Sequence, residues 1–144
     1  MNAVDNDLLS VAQEFELFFR REVDGDLVEW TVGPEQKSNI LGGAYALLHL
    51  INFEEPFGLS VIEALACGTP VVALHKGSMP EIIDSGTTGF VVDSLDEVLE
   101  TLGDIPTINR EDCRESILQR FTEDIMVDKY AVLFERLVSG SYAK

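Results

Sequence analysis

From Phe53 to Ile83 the chain reads FEEPFGLSVIEALACGTPVVALHKGSMPEII: a loop, a helix, a tight stop, a strand, a second loop and a second helix start. Gly58 to Cys67 has the pattern of a helix, closed by Gly68 and stopped by Pro70. Pro70 to Leu74 is a short β-branched run with no polar residue, as a parallel strand covered on both faces requires. Ser78-Met79-Pro80-Glu81 has the spacing of a capping box, in which the Ser78 hydroxyl accepts from the third backbone N–H and Glu81 reaches back. Asp84-Ser85-Gly86 ends that helix, and Gly89 to Val92 is a further strand.

Working outward, Ala44 to Leu50 is an apolar run of strand length, and Gly33-Pro34 opens a short helix through Leu41. Leu27 to Val32 alternates like a strand after the turn Asp24-Gly25-Asp26. Before it, Asp7 to Glu22 places Leu8, Val11, Ala12, Phe15, Phe18 and Phe19 on one side of an amphipathic helix. Toward the C-terminus the chain becomes helical over about residues 95–138. Leu95, Val98, Leu99 and Leu102 mark one helix, Cys113, Ile117 and Phe121 a second, and Ile125 through Leu137 the last. The aromatic residues of these helices, Phe121, Tyr130 and Phe134 among them, fall at helical spacing and are expected to pack in a core. Strands alternating with helices from Leu27 to Asp93 predict an α/β fold with a parallel sheet. With no internal repeat and no linker-like stretch, one domain over residues 1–144 is expected.

Ligands of parallel sheets bind beyond the carboxyl ends of the strands, against helix N-termini. The Phe53–Leu59 segment directly follows the Ala44–Leu50 strand and so falls at that place. A helix start has about four N–H groups without intrahelical partners and roughly half a positive charge from the macrodipole, so it binds phosphate without a basic side chain. Glu55 stands just before this helix and Glu63 five residues inside it, roughly 7–8 Å further along at the helical rise. A diphosphate at the helix start would then have one sugar near Glu55 and a ribose near Glu63, since each carboxylate can accept paired bonds from neighbouring hydroxyls. The plainer alternative is that both are solvated helix-end acids favoured by the dipole.

Composition narrows the classes. With 26 acidic against 10 basic residues, a formal charge of −16, the chain repels nucleic acid and anionic membrane surfaces. The N-terminus is polar and apolar runs are only strand-length, so no signal peptide or membrane insertion is expected. Cys67 and Cys113 form no spaced motif, which with the rest predicts a reduced, cytoplasmic protein. His49 and His75 lack a carboxylate or cysteine at ligand spacing, arguing against a metal site. Lys76 is expected to be a solvated loop lysine.

The stretch also resembles the signature of the group 1 (family 4) retaining glycosyltransferases, built on the two-Rossmann-domain GT-B fold. The matching residues are Glu55-Pro56-Phe57-Gly58-Leu59, Glu63-Ala64, Ala66-Cys67-Gly68-Thr69-Pro70-Val71-Val72-Ala73, Gly77-Ser78, Pro80-Glu81-Ile82-Ile83, Gly86 and Thr88-Gly89-Phe90-Val91. Glu55 and Glu63 carry the paired-glutamate spacing of that family. The resemblance implies a Rossmann-like parallel sheet of about four strands with flanking helices and a helical C-terminus, a partial GT-B C-terminal domain. It implies that Glu55 contacts the donor sugar as the catalytic residue, helping to stabilise positive charge at the anomeric carbon. Phe57, Gly58 and Leu59 would hold sugar and diphosphate, Glu63 the ribose hydroxyls, and Gly77 and Ser78 further parts of the substrate. The donor would be a nucleotide-diphosphate sugar, with no cofactor and no metal required.

The departures from the family are specific. Its donor domain opens with a strand ending in a glycine–arginine turn followed by a lysine, and these cations neutralise the diphosphate; this chain has no counterpart. The acceptor-binding half and its histidine have none either. A proline common after the Ala44–Leu48 strand is Leu50 here, beside His49, and only a local change is expected. Two functions therefore stay open: the donor-side half of a glycosyltransferase, or a non-catalytic module with at most weak nucleotide binding. The Leu27–Val32 and Ala44–Leu50 strands would not be neighbours in a full domain. Either they pair directly here, or a second copy or a complementing N-terminal half fills an exposed edge.

Overall fold

A computed structural model describes residues 20–23, 26–29 and 34–140. The helix expected over residues 7–22 lies outside them except for Arg20 to Glu22, and these three are strand. Strand β1 (Arg20–Val23) pairs antiparallel with β2 (Asp26–Glu29), Arg20 opposite Glu29 and Val23 opposite Asp26. Only two residues join the strands, so the backbone closes a local ladder and the helical pattern does not extend this far. The expected strand over residues 27–32 continues beyond β2 into undescribed residues.

Helix α1 (Pro34–Gly43) starts at a proline, whose fixed φ and missing N–H suit a first turn. Then follow β3 (Leu47–His49), α2 (Leu59–Ala66), β4 (Val71–Leu74), the single turn α3 (Met79–Ile82) and β5 (Gly89–Val92). Helix α4 (Leu95–Leu102), a 3-10 turn (Ile105–Thr107), α5 (Arg110–Arg120) and α6 (Glu123–Val138) complete the order. Strands β3, β4 and β5 form a parallel sheet in that order, Leu47 opposite Val71 and Val71 opposite Gly89. The α/β class is as expected, with three strands in the parallel sheet. The remaining expected strand contributes β2, which pairs with β1 and not with β3. Among the described residues the outer edge of β3 has no partner strand.

Successive strand residues face opposite ways, and β4 divides accordingly. Val71 and Ala73 enter one core with Val61, Ala64 and Leu65 of α2, Met79 and Ile82 of α3, and Cys113 and Ile117 of α5. Val72 enters the other with Ala46, Val92, Val98 of α4 and Ile105. That is why the β4 run has no polar residue: both its faces are covered. Burying each valine contributes about 1.5–3 kcal/mol before entropy is counted.

Local caps set the helix starts. Ser94 Oγ accepts from Glu97 N at 3.3 Å, Asn109 Oδ1 from Glu111 N at 3.0 Å, and Thr122 Oγ1 from Ile125 N at 3.4 Å. Arg110 ties α5 to the entry of the sheet. Its guanidinium donates to Ala44 O and Gly42 O at 2.8 Å each and to the buried Thr69 hydroxyl at 3.0 Å.

Helix α6 departs from the expected packing, since none of its residues is buried. Tyr130 and Phe134 are 53% and 58% exposed and stack on each other, centroids 6.0 Å apart. Of the described aromatics expected in the core, only Phe121 packs against it. The apolar stripe is present, but no described element lies over it. No described helix is long and apolar enough to cross a membrane.

Candidate functional site

The loops that leave the carboxyl ends of β3 and β4 lie against each other. Ser78 N donates to Glu55 O at 2.9 Å, and Gly77 N donates to Glu54 Oε2. Gly77 has φ +52°, and a Cβ built on it would stand 2.2 Å from Glu55 O, so the two backbones are in direct contact there. The Lys76 side chain is 39% exposed, as expected of a loop lysine, and its Nζ comes within 3.9 Å of Glu54 Oε1.

Glu55 turns its carboxylate back onto its own loop. Oε1 accepts from Gly58 N at 3.1 Å and, more weakly, from Phe57 N at 3.5 Å. Gly58 precedes α2 in the left-handed region, φ 77°. The next two amides, of Leu59 and Ser60, carry no hydrogen bond among the described residues. They remain as donors at the positive end of the helix dipole. The Phe57 and Leu59 side chains are 51% and 65% exposed and flank this end. One turn into α2, Glu63 pairs through Oε2 with Lys37 Nζ at 2.5 Å.

The structure thus brings Glu55, Phe57, Gly58, Leu59, Gly77 and Ser78 together where the two loops meet, with Glu63 further along α2. One expected detail is different. Ser78 does not cap α3 through its hydroxyl: its backbone is helical (φ −79°, ψ −3°), no side-chain cap bond forms, and Glu81 N donates to Ser78 O at 2.9 Å. A serine caps best from an extended backbone; in this single turn the carbonyl takes over, and Ser78 Oγ is buried without a partner.

Three contributors escaped the sequence. Glu54 binds the Gly77 amide, although only its neighbour carried a pattern. Lys37 meets Glu63 across a helix pair. His49, at the end of β3, has a buried Nε2 with no partner; burial holds its pKa below the ordinary histidine value while the Glu55 charge pulls it up. The only signal for His49 was its place at a strand's carboxyl end. His75 pairs instead with Asp93 at 3.1 Å. Among the described residues no group of three or more His, Cys, Asp or Glu side chains could hold a metal ion. Beside Phe57 a cleft of about 710 Å³ opens toward Phe121, Met126 and Tyr130, with Arg120 and Lys129 also lining it.

Helix-start amides that carry no hydrogen bond among the described residues, two nearby carboxylates and a parallel sheet define the class: an α/β protein that presents its polar groups at the strands' carboxyl ends. The family is named by the sequence match. The profile described as Glycosyl transferases group 1 matches residues 26–102, more than half of the chain, and the chain belongs to that family.

Three relatives show the range. An N-acetyl-alpha-D-glucosaminyl L-malate synthase of Bacillus anthracis is 31% identical over 97 residues, covering 61% of this chain and 25% of that protein. A D-inositol 3-phosphate glycosyltransferase of Corynebacterium jeikeium is 42% identical over 59 residues, 39% of this chain and 14% of that one. A probable sucrose-phosphate synthase of Thermosipho melanesiensis is 32% identical over 90 residues, 60% and 21% respectively. The matched part amounts to a quarter or less of each of these relatives.

Proposed function

We propose that this chain supplies the donor-binding half-site of a retaining, family 4 glycosyltransferase of GT-B type, a partial Rossmann-like domain over residues 1–144. The observation that carries the reading is the pair Glu55 and Glu63 on either side of an α2 N-terminus whose Leu59 and Ser60 amides are unbonded among the described residues. A nucleotide-diphosphate sugar fits this line. Its diphosphate takes the free amides and the helix dipole. Its ribose hydroxyls donate to Glu63. Its sugar lies at Glu55, Gly77 and Ser78, taking over the Phe57 and Gly58 amides that the Glu55 carboxylate now holds.

In the transfer, the bond between the anomeric carbon and the diphosphate oxygen breaks and the diphosphate leaves with the electron pair. Donors aimed at that leaving charge lower the barrier, and the α2 amides are such donors. Glu55 offsets the positive charge developing at the sugar. The acceptor hydroxyl oxygen then bonds to the anomeric carbon on the face that the diphosphate left, and its proton passes to the departing diphosphate oxygen. The reading calls for no metal or cofactor. It goes with a cytoplasmic location, Cys67 and Cys113 being free thiols, and with a complementing N-terminal half or a second copy beside the outer β3 edge, which has no partner strand among the described residues.

A non-catalytic nucleotide-binding module is the second reading. It is favoured by the hold of Glu55 on the Phe57 and Gly58 amides, which a sugar must break. Calorimetric titration with nucleoside diphosphates and their sugars tests both. Binding that weakens about tenfold in Glu63→Ala, the lower range for a hydrogen bond to a charged group, supports the donor site. Absence of binding at millimolar ligand rejects it. Sugar transfer to added acceptor, or only binding, separates the enzyme from the module.

A further inference from the structure

Lys37 and Leu41 stand four residues apart and so share a face of α1. Leu41 is buried in the core against Val61, Ala64 and Leu65 of α2. Its packing therefore aims Lys37, one turn earlier, at the same helix, and there Lys37 Nζ meets Glu63 Oε2 at 2.5 Å. Both side chains stay about 40% exposed, so the pair is reachable by a ligand. The other carboxylate oxygen, Oε1, has no partner among the described residues.

We propose that Lys37 is a positioning residue for Glu63. The ammonium fixes one carboxylate oxygen and leaves the other directed outward, ready to accept from a ribose hydroxyl. A free glutamate on a helix surface samples several rotamers, and a ligand must pay the entropy of ordering it. Here the pairing with Lys37 has already ordered it. The same contact places a positive charge beside a carboxylate that would otherwise repel a diphosphate, in a chain of net charge −16. This inference rests on the donor-site reading above and adds to it what selects a ribose.

The test is calorimetric titration of the whole chain with uridine and guanosine diphosphates and with the same nucleotides lacking both ribose hydroxyls. The wild type should favour the hydroxylated ligand. Lys37→Met should reduce that preference roughly two- to fivefold, the range an exposed ion pair supplies. Lys37→Arg should restore it, and Lys37→Met should add nothing in a Glu63→Gln background. An unchanged preference in Lys37→Met overturns the proposal. So does an equal loss for both ligands, since Lys37 would then be meeting the phosphates directly. If the wild type binds no nucleotide, the donor-site reading falls and takes this inference with it. If it binds with a ribose preference that Lys37→Met keeps, only this inference falls.

Discussion

Replacing Gly77 by alanine tests the contact that assembles the site. Its φ of +52° lies in the left-handed region, and the added Cβ would stand 2.2 Å from Glu55 O, 2.5 Å from Glu55 N and 2.8 Å from Glu55 C. All three are backbone atoms, so no rotamer change relieves the clash and the loops must part by more than 1 Å (roughly, to ordinary contact distance). The left-handed backbone alone costs about 1–2 kcal/mol. Parting the loops removes the Gly77 N–Glu54 and Ser78 N–Glu55 bonds, at about 1 kcal/mol each. The less flexible unfolded chain returns about 0.5 kcal/mol. The net expectation is a loss of about 3 kcal/mol. Gly86 is the control: its φ is +83°, but a Cβ there meets nothing within 4 Å. Gly86→Ala should therefore cost only the backbone share, about 1 kcal/mol. Urea unfolding of both variants gives the comparison, since stability falls linearly with denaturant. If Gly77→Ala proves no more destabilising than Gly86→Ala, the backbones at Gly77 and Glu55 are not in direct contact.

Three further outcomes follow from other parts of the structure. Arg110→Met leaves two carbonyls and the Thr69 hydroxyl without their charged donor, and should cost about 2–3 kcal/mol in urea unfolding; a loss under about 0.5 kcal/mol, ordinary for surface changes, would contradict the staple. His49 is half-buried, and the desolvation holds its pKa below the ordinary 6.5, the Glu55 charge opposing. The unfolded chain therefore takes up a proton near 6.5 while the folded one resists it. His49 thus subtracts stability as the pH falls from that value toward its folded pKa. The melting temperature of wild type should drop relative to His49→Phe between pH 8 and pH 5.5 (about the range over which histidine titrates), and a constant difference would refute it. Cys113 is fully buried and burial pushes its thiol up to about 11, the Arg110 charge opposing. In the native protein it should resist alkylation while half-buried Cys67 reacts, as mass spectrometry of the labelled chain would show; equal labelling rates would exclude the packing described.

What could be read early had local causes. Five apolar residues from Pro70 to Leu74 can only be a strand with two covered faces, and Val71 and Val72 do enter opposite cores. Gly58 and Gly68 frame a helix because only glycine readily takes the left-handed turns at either end. The same logic placed Glu55 and Glu63 on one helix start. It failed where a pattern had two outcomes. Ser78 and Glu81 have the spacing of a capping box, but a one-turn helix closes through the carbonyl. Tyr130 and Phe134 repeat like core residues, yet periodicity does not say whether anything covers the face. Arg20 to Glu22 continue a helical pattern and are drawn instead into a hairpin.

By itself, then, the sequence of residues 44–92 determined a parallel α/β unit, a helix start at the carboxyl end of β3 and two glutamates flanking that start. Those features depend on neighbours a few positions away, and backbone sterics fix them. The tertiary structure alone decided which groups complete the site. Glu54 reaches Gly77, Lys37 reaches Glu63, and Arg110 reaches Gly42 and Ala44 only after helices and loops distant in the chain have packed. No local periodicity encodes such pairings, because they are set by which apolar faces bury against each other, as Leu41 does when it brings α1 onto α2.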